Sequence, residues 1–215
     1  MNAGRSCSRF GGERSVFRPR CLRMLQAATV LLLLAGLPAA GHAAPAASSS
    51  RSTAHVYLLR GVLNVFSLGM DQIAAKLEQR GVASTVTNYL FWSSLADEIA
   101  ADYKRGKVRT IVLVGHSSGA TVLPEMVEQL TKLGAPVKLA IGLDSVFQTS
   151  LSGRVGRYIN FYIGNGAGTP VGRTKQLHGE LQNVNVERIP GVGHITIDKN
   201  EIIQQKVISA ILSAL

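Results

Sequence analysis

Residues 108–119 read VRTIVLVGHSSG. Seven residues, Val108 to Val114, are almost wholly apolar and β-branched, the composition of a strand buried on both faces. They run into Gly115-His116-Ser117-Ser118-Gly119, a G-x-S-x-G pentapeptide, and the apolar spacing over Ser118–Leu133 predicts a helix that Gly134 stops. A sharp turn between strand and helix puts Ser117 at the apex with its Oγ exposed. Both flanking positions are glycine because neighbouring backbone passes too close for a Cβ. Ser117 is the candidate nucleophile. Ser118 begins the helix, where its backbone N–H is the more useful group.

Strand-like and helix-like segments alternate on either side of this stretch. Strands are expected at Ala54–Arg60, Ser84–Asn88, Val137–Leu143, Arg157–Ile163 and Val184–Ile189. Helices are expected at Ser67–Arg80, Ser94–Lys104 and Asn200–Leu215. Ser94 with Asp97 reads as a capping box for the second of these, and Asp198 with Glu201 as a cap for the last. Pro124 falls inside the helix after Ser117, where it removes one hydrogen bond and is expected to kink it. The alternation predicts βαβ units, hence a three-layer α/β/α domain on a mostly parallel sheet of about six strands. No repeat of fixed period is visible.

The N-terminal residues are of another kind. Residues 1–23 carry six arginines and a single acid, Glu13; an apolar run follows from Ala27 to Leu37, then small residues up to Ala44. This is the pattern of a secretory signal peptide, with cleavage expected after Ala43 and an exported, periplasmic or secreted, product. The apolar run is shorter than the ~20 residues a membrane span needs, and Pro38 and Gly41 interrupt it. Met1 is the expected start, since Met24 would leave almost no positive charge ahead of the run. Residues 44–53 (APAASSSRST) read as a flexible segment, and residues 54–215 as one domain.

The chain has 215 residues and a formal net charge of +10. The leader would take six of the 23 basic and one of the 13 acidic residues, leaving a net +5. Cys7 and Cys21 leave with it, so thiolate metal sites are excluded from the mature chain. The densest basic run, Lys104–Arg109, precedes the Val108–Val114 strand and so lies at the opposite end of the sheet from Ser117. It reads as a solvated turn rather than a nucleic-acid patch. No phosphate-binding or dinucleotide fingerprint and no metal-ligand spacing is present, so no cofactor, metal or nucleic acid is expected.

With the G-x-S-x-G motif set between strand and helix, residues 54–215 resemble the α/β-hydrolase family, in particular its small lidless esterase, lipase and thioesterase-like members. The resemblance implies a Ser–acid–His triad in that chain order, with the histidine in a loop after the last strand. His194, in Gly191-Val192-Gly193-His194, holds that position. His116 lies inside the elbow and should point away from the apex; His55 and His178 read as surface residues. The acid has two candidates. Asp144 directly follows the Val137–Leu143 strand, while the strand at 157–163 is followed by Gly164-Asn165-Gly166-Ala167-Gly168, with no carboxylate. Asp144 is preferred and Asp198 is the alternative. The backbone N–H of Ser118 and one from the loop after the first strand, Val62 or next Leu63, would form an oxyanion hole. Arg60 stands where the family often has histidine, and reads either as a salt-bridged edge residue or as a contact for an anionic substrate group. Phe91 and Trp92 read as core or rim. The implied substrate is a small acyl ester or thioester, and no membrane span is expected in the mature chain.

Overall fold

The computed structural model describes residues 53–62 and 64–215. The proposed leader, almost all of the 44–53 segment, and Leu63 lie outside these residues. Six strands build one sheet: β1 (Ala54–Arg60), β2 (Ala83–Asn88), β3 (Thr110–His116), β4 (Val137–Leu143), β5 (Ser150–Tyr162) and β6 (Gly172–Asn185). Four helices accompany them: α1 (Gly69–Glu78), α2 (Trp92–Lys104), α3 (Ser118–Lys132) and α4 (Glu201–Ala214). The strand order is β2-β1-β3-β4-β5-β6, and every neighbouring pair is parallel.

Burial follows that order. In β3 every residue from Ile111 to His116 is buried, because helices cover both faces of this central strand. At the sheet edge β2 (ASTVTN) has no fully buried residue, which suits its polar alternation. On one face Val56, Leu58, Val112, Val114 and Ile141 pack with Ile73 and Leu77 of α1 and Ile203, Val207 and Ile211 of α4. On the other, Leu59, Ile111, Leu113 and Ala140 pack with Leu95 and Ile99 of α2 and Leu123, Val127 and Leu130 of α3. Pro124 is buried inside α3, and the helix continues through it to Lys132.

The chain leaves β1 toward β2 on one side, then returns past β1 to build β3 to β6 on the other. The sheet therefore has its topological switch between β1 and β3, the place where open α/β sheets form a crevice beyond the carboxyl ends of their strands.

The structure corrects several expectations. Strand β3 lies two residues further on, at Thr110–His116 rather than Val108–Val114, and runs right up to the Ser117 turn. The last strand is Gly172–Asn185, not Val184–Ile189, and β5 begins at Ser150, seven residues ahead of the expected start. These long strands fold back on themselves. Val155 pairs with Val137 at the start of β4, and the Arg154 N–H donates to Thr131 near the end of α3. Gly172, by contrast, pairs with Ser150 next to Val171, which is held by Asn183 beside Asn160, high in the β5–β6 pairing. Both strands thus descend, turn at the register shifts after Arg154 and near Gly179, and rise again side by side. Gly179 has φ 150°, and a Cβ there would stand 1.6 Å from the Val155 carbonyl oxygen. The fold-back explains how a nine-residue link, 163–171, can join parallel strands that otherwise need a long crossover.

Two caps also differ. Ser94 does not cap α2: that helix starts at Trp92 behind a 3₁₀ turn at Tyr89–Phe91, and Asn88 caps the turn by accepting from Leu90 N–H. Asn200, not Asp198, caps α4, accepting from Ile202 and Ile203 N–H.

Candidate functional site

Strand β3 ends at His116 and α3 begins at Ser118, so Ser117 alone makes the turn, with φ 58° and ψ −123°. That backbone is costly for a residue with a Cβ and persists only where its surroundings impose it. Here Ser117 N–H donates to the Leu143 carbonyl (2.9 Å) and its own carbonyl opens the α3 ladder by accepting from Thr121 N–H. The flanking glycines are compelled by contact. A Cβ on Gly119 would sit 2.2 Å from the Leu59 carbonyl oxygen, and one on Gly115 2.4 Å from the Gly119 carbonyl oxygen.

His194 comes from the loop between β6 and α4. Its Nε2 is 3.1 Å from Ser117 Oγ, and its Nδ1 is 2.6 Å from Asp144 Oδ2. A carboxylate can only accept, so Nδ1 carries the proton and, in the neutral ring, Nε2 is free to accept from the serine hydroxyl. The loop is cross-braced by Thr196, whose Oγ1 donates to the Gly191 carbonyl and accepts from Gly193 N–H. Asp144 is fully buried at the end of β4 in a left-handed conformation, φ 51°. Its Oδ1 accepts from Ile163 N–H (3.0 Å), so both oxygens have a donor. Gly168 closes over it: a Cβ there would fall 1.8 Å from Oδ1.

The loop after β1 runs beside the serine. Gly61 is so close that a Cβ would meet Ser117 Cβ at 2.8 Å. The Gly61 N–H is already committed to Ser67 Oγ (3.0 Å). Val62 follows in a turn, half exposed, and its N–H has no partner among the described residues. Ser118 opens α3, where the first N–H groups have no carbonyl one turn back and the helix dipole is positive. Val62 and Ser118 thus each follow directly on one of the two residues, Gly61 and Ser117, that are packed against each other here.

Beneath the site lies a buried polar cluster that the sequence did not announce. His116 Nε2 must donate to the His194 carbonyl (2.8 Å), which can only accept. In the neutral ring its Nδ1 is then an acceptor, and Ser67 Oγ, 2.8 Å away, donates to it while accepting from Gly61 N–H. One hydroxyl and one imidazole thereby tie the β1 loop to the backbone of His194. Asp198 is also buried, accepting from Gly69 N–H (2.8 Å), with Oδ2 4.0 Å from His116 Nδ1 and Oδ1 unpartnered among the described residues. Burial lowers the His116 pKa and raises that of Asp198, each toward its neutral form. Among the described residues it is Asp144, and not Asp198, whose carboxylate is hydrogen-bonded to the His194 imidazole. Strand alternation could have shown the direction of His116: it shares the face of Val112 and Val114, the side of α1 and α4. Ser67 carried no signal.

Arg60 is engaged by Asp71 through two guanidinium–carboxylate hydrogen bonds, which favours the edge salt bridge over a substrate contact. In the turn after α2, Arg105 and Lys107 pair with Asp102. Trp92 packs on the core while Phe91 is exposed. His178 is exposed, and His55 is half-buried against Thr85. Among the described residues there is no group of three or more His, Cys, Asp or Glu that could hold a metal ion, and no helix long and apolar enough to cross a membrane.

An all-parallel, helix-covered sheet with an elbow serine at the end of β3 is the fold of the α/β hydrolases. No family model and no curated protein matches the sequence. Among solved structures, an acetylxylan esterase determined at 0.90 Å resolution matches with TM-score 0.50 and 13% identity, over 77% of this chain and 99% of its own. A Xanthomonas campestris pv. campestris protein described as an alpha/beta superfamily hydrolase matches with TM-score 0.46 and 12% identity, over 74% of this chain and 99% of its own. The first likeness concerns the fold alone.

Proposed function

We propose that the protein is an exported serine hydrolase that cleaves carboxylic esters or thioesters through an acyl-enzyme on Ser117. The observation that carries this reading is the unbroken line Ser117 Oγ–His194 Nε2, His194 Nδ1–Asp144 Oδ2, at 3.1 and 2.6 Å. A serine hydroxyl is a poor nucleophile until a base takes its proton. His194 takes it as Oγ bonds to the acyl carbon. Asp144 holds the ring in the required tautomer and stabilises the imidazolium. The oxyanion is held by Val62 and Ser118 N–H. Collapse breaks the ester C–O (or thioester C–S) bond, and His194 returns the proton to the leaving alcohol or thiol. Water, activated by His194 in the same way, then releases the acid. Acyl transfer to another alcohol, or amide cleavage, would use the same groups; a binding protein on this scaffold would not need Ser117 held against His194.

Purified protein treated with a fluorophosphonate probe is expected to label at Ser117, and a Ser117→Ala variant is not. Equal labelling of both, or none of the wild type, would overturn the reading. Export is tested by the N-terminus of the protein recovered outside the cytoplasm, expected at Ala44; a protein retained inside with Met1 intact refutes it.

A further inference from the structure

We infer that the face around Ser117 is an adsorption surface for aggregated neutral esters, so that the protein takes its substrate from a droplet or micelle surface rather than from solution. The inference rests on the reading of Ser117 above. Eleven large apolar side chains are exposed among the described residues, and eight of them belong to the loops at the carboxyl edge of the sheet. Leu90 and Phe147 are each 68% exposed, Phe91 60%, Val65 57%, Ile195 52% and Phe66 46%. Single exposed apolar residues are ordinary; a concentration of them on one edge is not.

The strand order makes them one rim. Leu90 and Phe91 follow β2, Val65 and Phe66 follow β1, Phe147 follows Asp144 after β4, and Ile195 adjoins His194; Ser117, after β3, lies among them. Hydrogen bonds join the loops to each other. Asn88 donates to Asn64 (2.8 Å). Lys199 Nζ donates to the carbonyls of both Phe66 and Ile195. Thr121, one turn after Ser117, donates to Ser145 Oγ, which donates to the carbonyl of Phe147.

Charge completes the case. Residues 61–68, 89–91, 145–149, 163–171 and 190–197 contain no Asp, Glu, Lys or Arg, although the chain as a whole is 17% charged. Arg60 at the rim is neutralised by Asp71. The one cation set among these loops, Lys199, spends its ammonium on two backbone carbonyls, so the face offers an anionic surface little attraction and loses little on meeting an uncharged apolar one. A permanent occupant, whether a second copy or a segment of this chain, would bury Ser117 with the rim. An occupant that carries the ester delivers the scissile bond to it.

The test follows hydrolysis of a neutral short-chain triacylglycerol across its solubility limit, with droplet adsorption of Ser117→Ala protein measured separately by depletion from solution. The rate is expected to rise steeply once droplets form, and the Ser117→Ala protein to leave solution with them. A Leu90→Ser/Phe147→Ser variant is expected to lose about tenfold or more in adsorption, since two large apolar side chains no longer enter the oil. Its rate on dissolved p-nitrophenyl acetate should stay within about twofold, because neither residue touches the reacting groups. A smooth saturation curve through the solubility limit, unchanged adsorption of the variant, binding to anionic vesicles but not neutral droplets, or a stable dimer whose contact is this rim would each overturn the inference. Adsorption of the Ser117→Ala protein reads the surface without chemistry, so failure of the hydrolase reading is distinguished by absent fluorophosphonate labelling.

Discussion

The Ser67–His116 pair joins the loop after β1 to the end of β3, 49 residues apart in sequence, and its removal has a calculable cost. Ser67 is 1% exposed and its hydroxyl has two partners, Gly61 N–H at 3.0 Å and His116 Nδ1 at 2.8 Å. Ser67→Ala removes about as little volume as a substitution can, yet leaves a buried donor and a buried acceptor unpaired. At roughly 1–3 kcal/mol for each of the two groups so abandoned, the variant should lose about 2–6 kcal/mol. For a domain of this size, at about 2–4 °C per kcal/mol, that is a fall in Tm of about 4–24 °C. Urea unfolding at pH 7.5 gives the free energy. A double-mutant cycle with His116→Leu isolates the pair: once Nδ1 is gone, Ser67→Ala abandons only the Gly61 N–H, so a coupling of about 1–3 kcal/mol is expected. The same substitution frees Gly61 beside Ser117, and fluorophosphonate labelling should slow by about tenfold, since misplacement of an ångström at a reacting group costs up to about a hundredfold. A loss below about 0.5 kcal/mol, or additivity within the ~0.3–0.5 kcal/mol expected of independent sites, would refute the assignment of these two hydrogen bonds.

Gly119→Ala should destabilise by about 3 kcal/mol or more, because its Cβ would meet a strand carbonyl rather than a movable side chain; a midpoint within about 0.5 kcal/mol of wild type refutes the close packing of elbow on β1. Gly168→Ala should cost activity out of proportion to stability, since the only yielding neighbour is the Asp144 carboxylate; a fall in kcat/KM of at least tenfold, with the protein still folded by circular dichroism, is the expected outcome. Asp198→Asn reports on burial of charge. The folded pKa lies above the ordinary 3.8, so the stability this group contributes is present below that pH and declines as pH rises through the folded value. Urea midpoints from pH 4 to 8 should therefore move in favour of Asn as pH rises, and the opposite trend refutes a buried, proton-favouring carboxyl. Asn200→Ala should lose about 1 kcal/mol by uncapping α4.

The central fold was legible because its signals were redundant. The Val108–Val114 run, the two glycines and the helix after them agree on one turn, and the alternation of strands and helices points to a mostly parallel, helix-covered sheet, though not to its strand order. The misplaced pieces are those where local pattern and tertiary pairing part company. Gly172–Asn185 (GRTKQLHGELQNVN) is too polar to read as a strand, yet it is the outer edge of the sheet and needs only one residue, Leu177, fully inside. Asp198 and Asn200 compete for one cap. Spacing favours Asp198, but Asn200 carries the extended backbone of an N-cap, and Asp198 is taken up by Gly69 N–H across the fold. No one-dimensional pattern shows such a partner 129 residues away.

The position of the acid and the glycine run after β5 are one structural feature. A carboxylate on β4 must turn back to reach a histidine arriving from beyond β6, and Asp144 does so through a left-handed backbone that places Oδ2 on His194. Oδ1 then projects toward the link that leaves β5. That link begins with Ile163, whose N–H it accepts, and passes over it at Gly168, where any side chain would occupy the carboxylate's own space. A carboxylate after β5 would leave Asp144 without a task and remove the need for glycine at 168. The chain instead lacks the first and has the second, so the absence of an acid in Gly164-Asn165-Gly166-Ala167-Gly168 and the presence of one at Asp144 are the same fact seen from two strands.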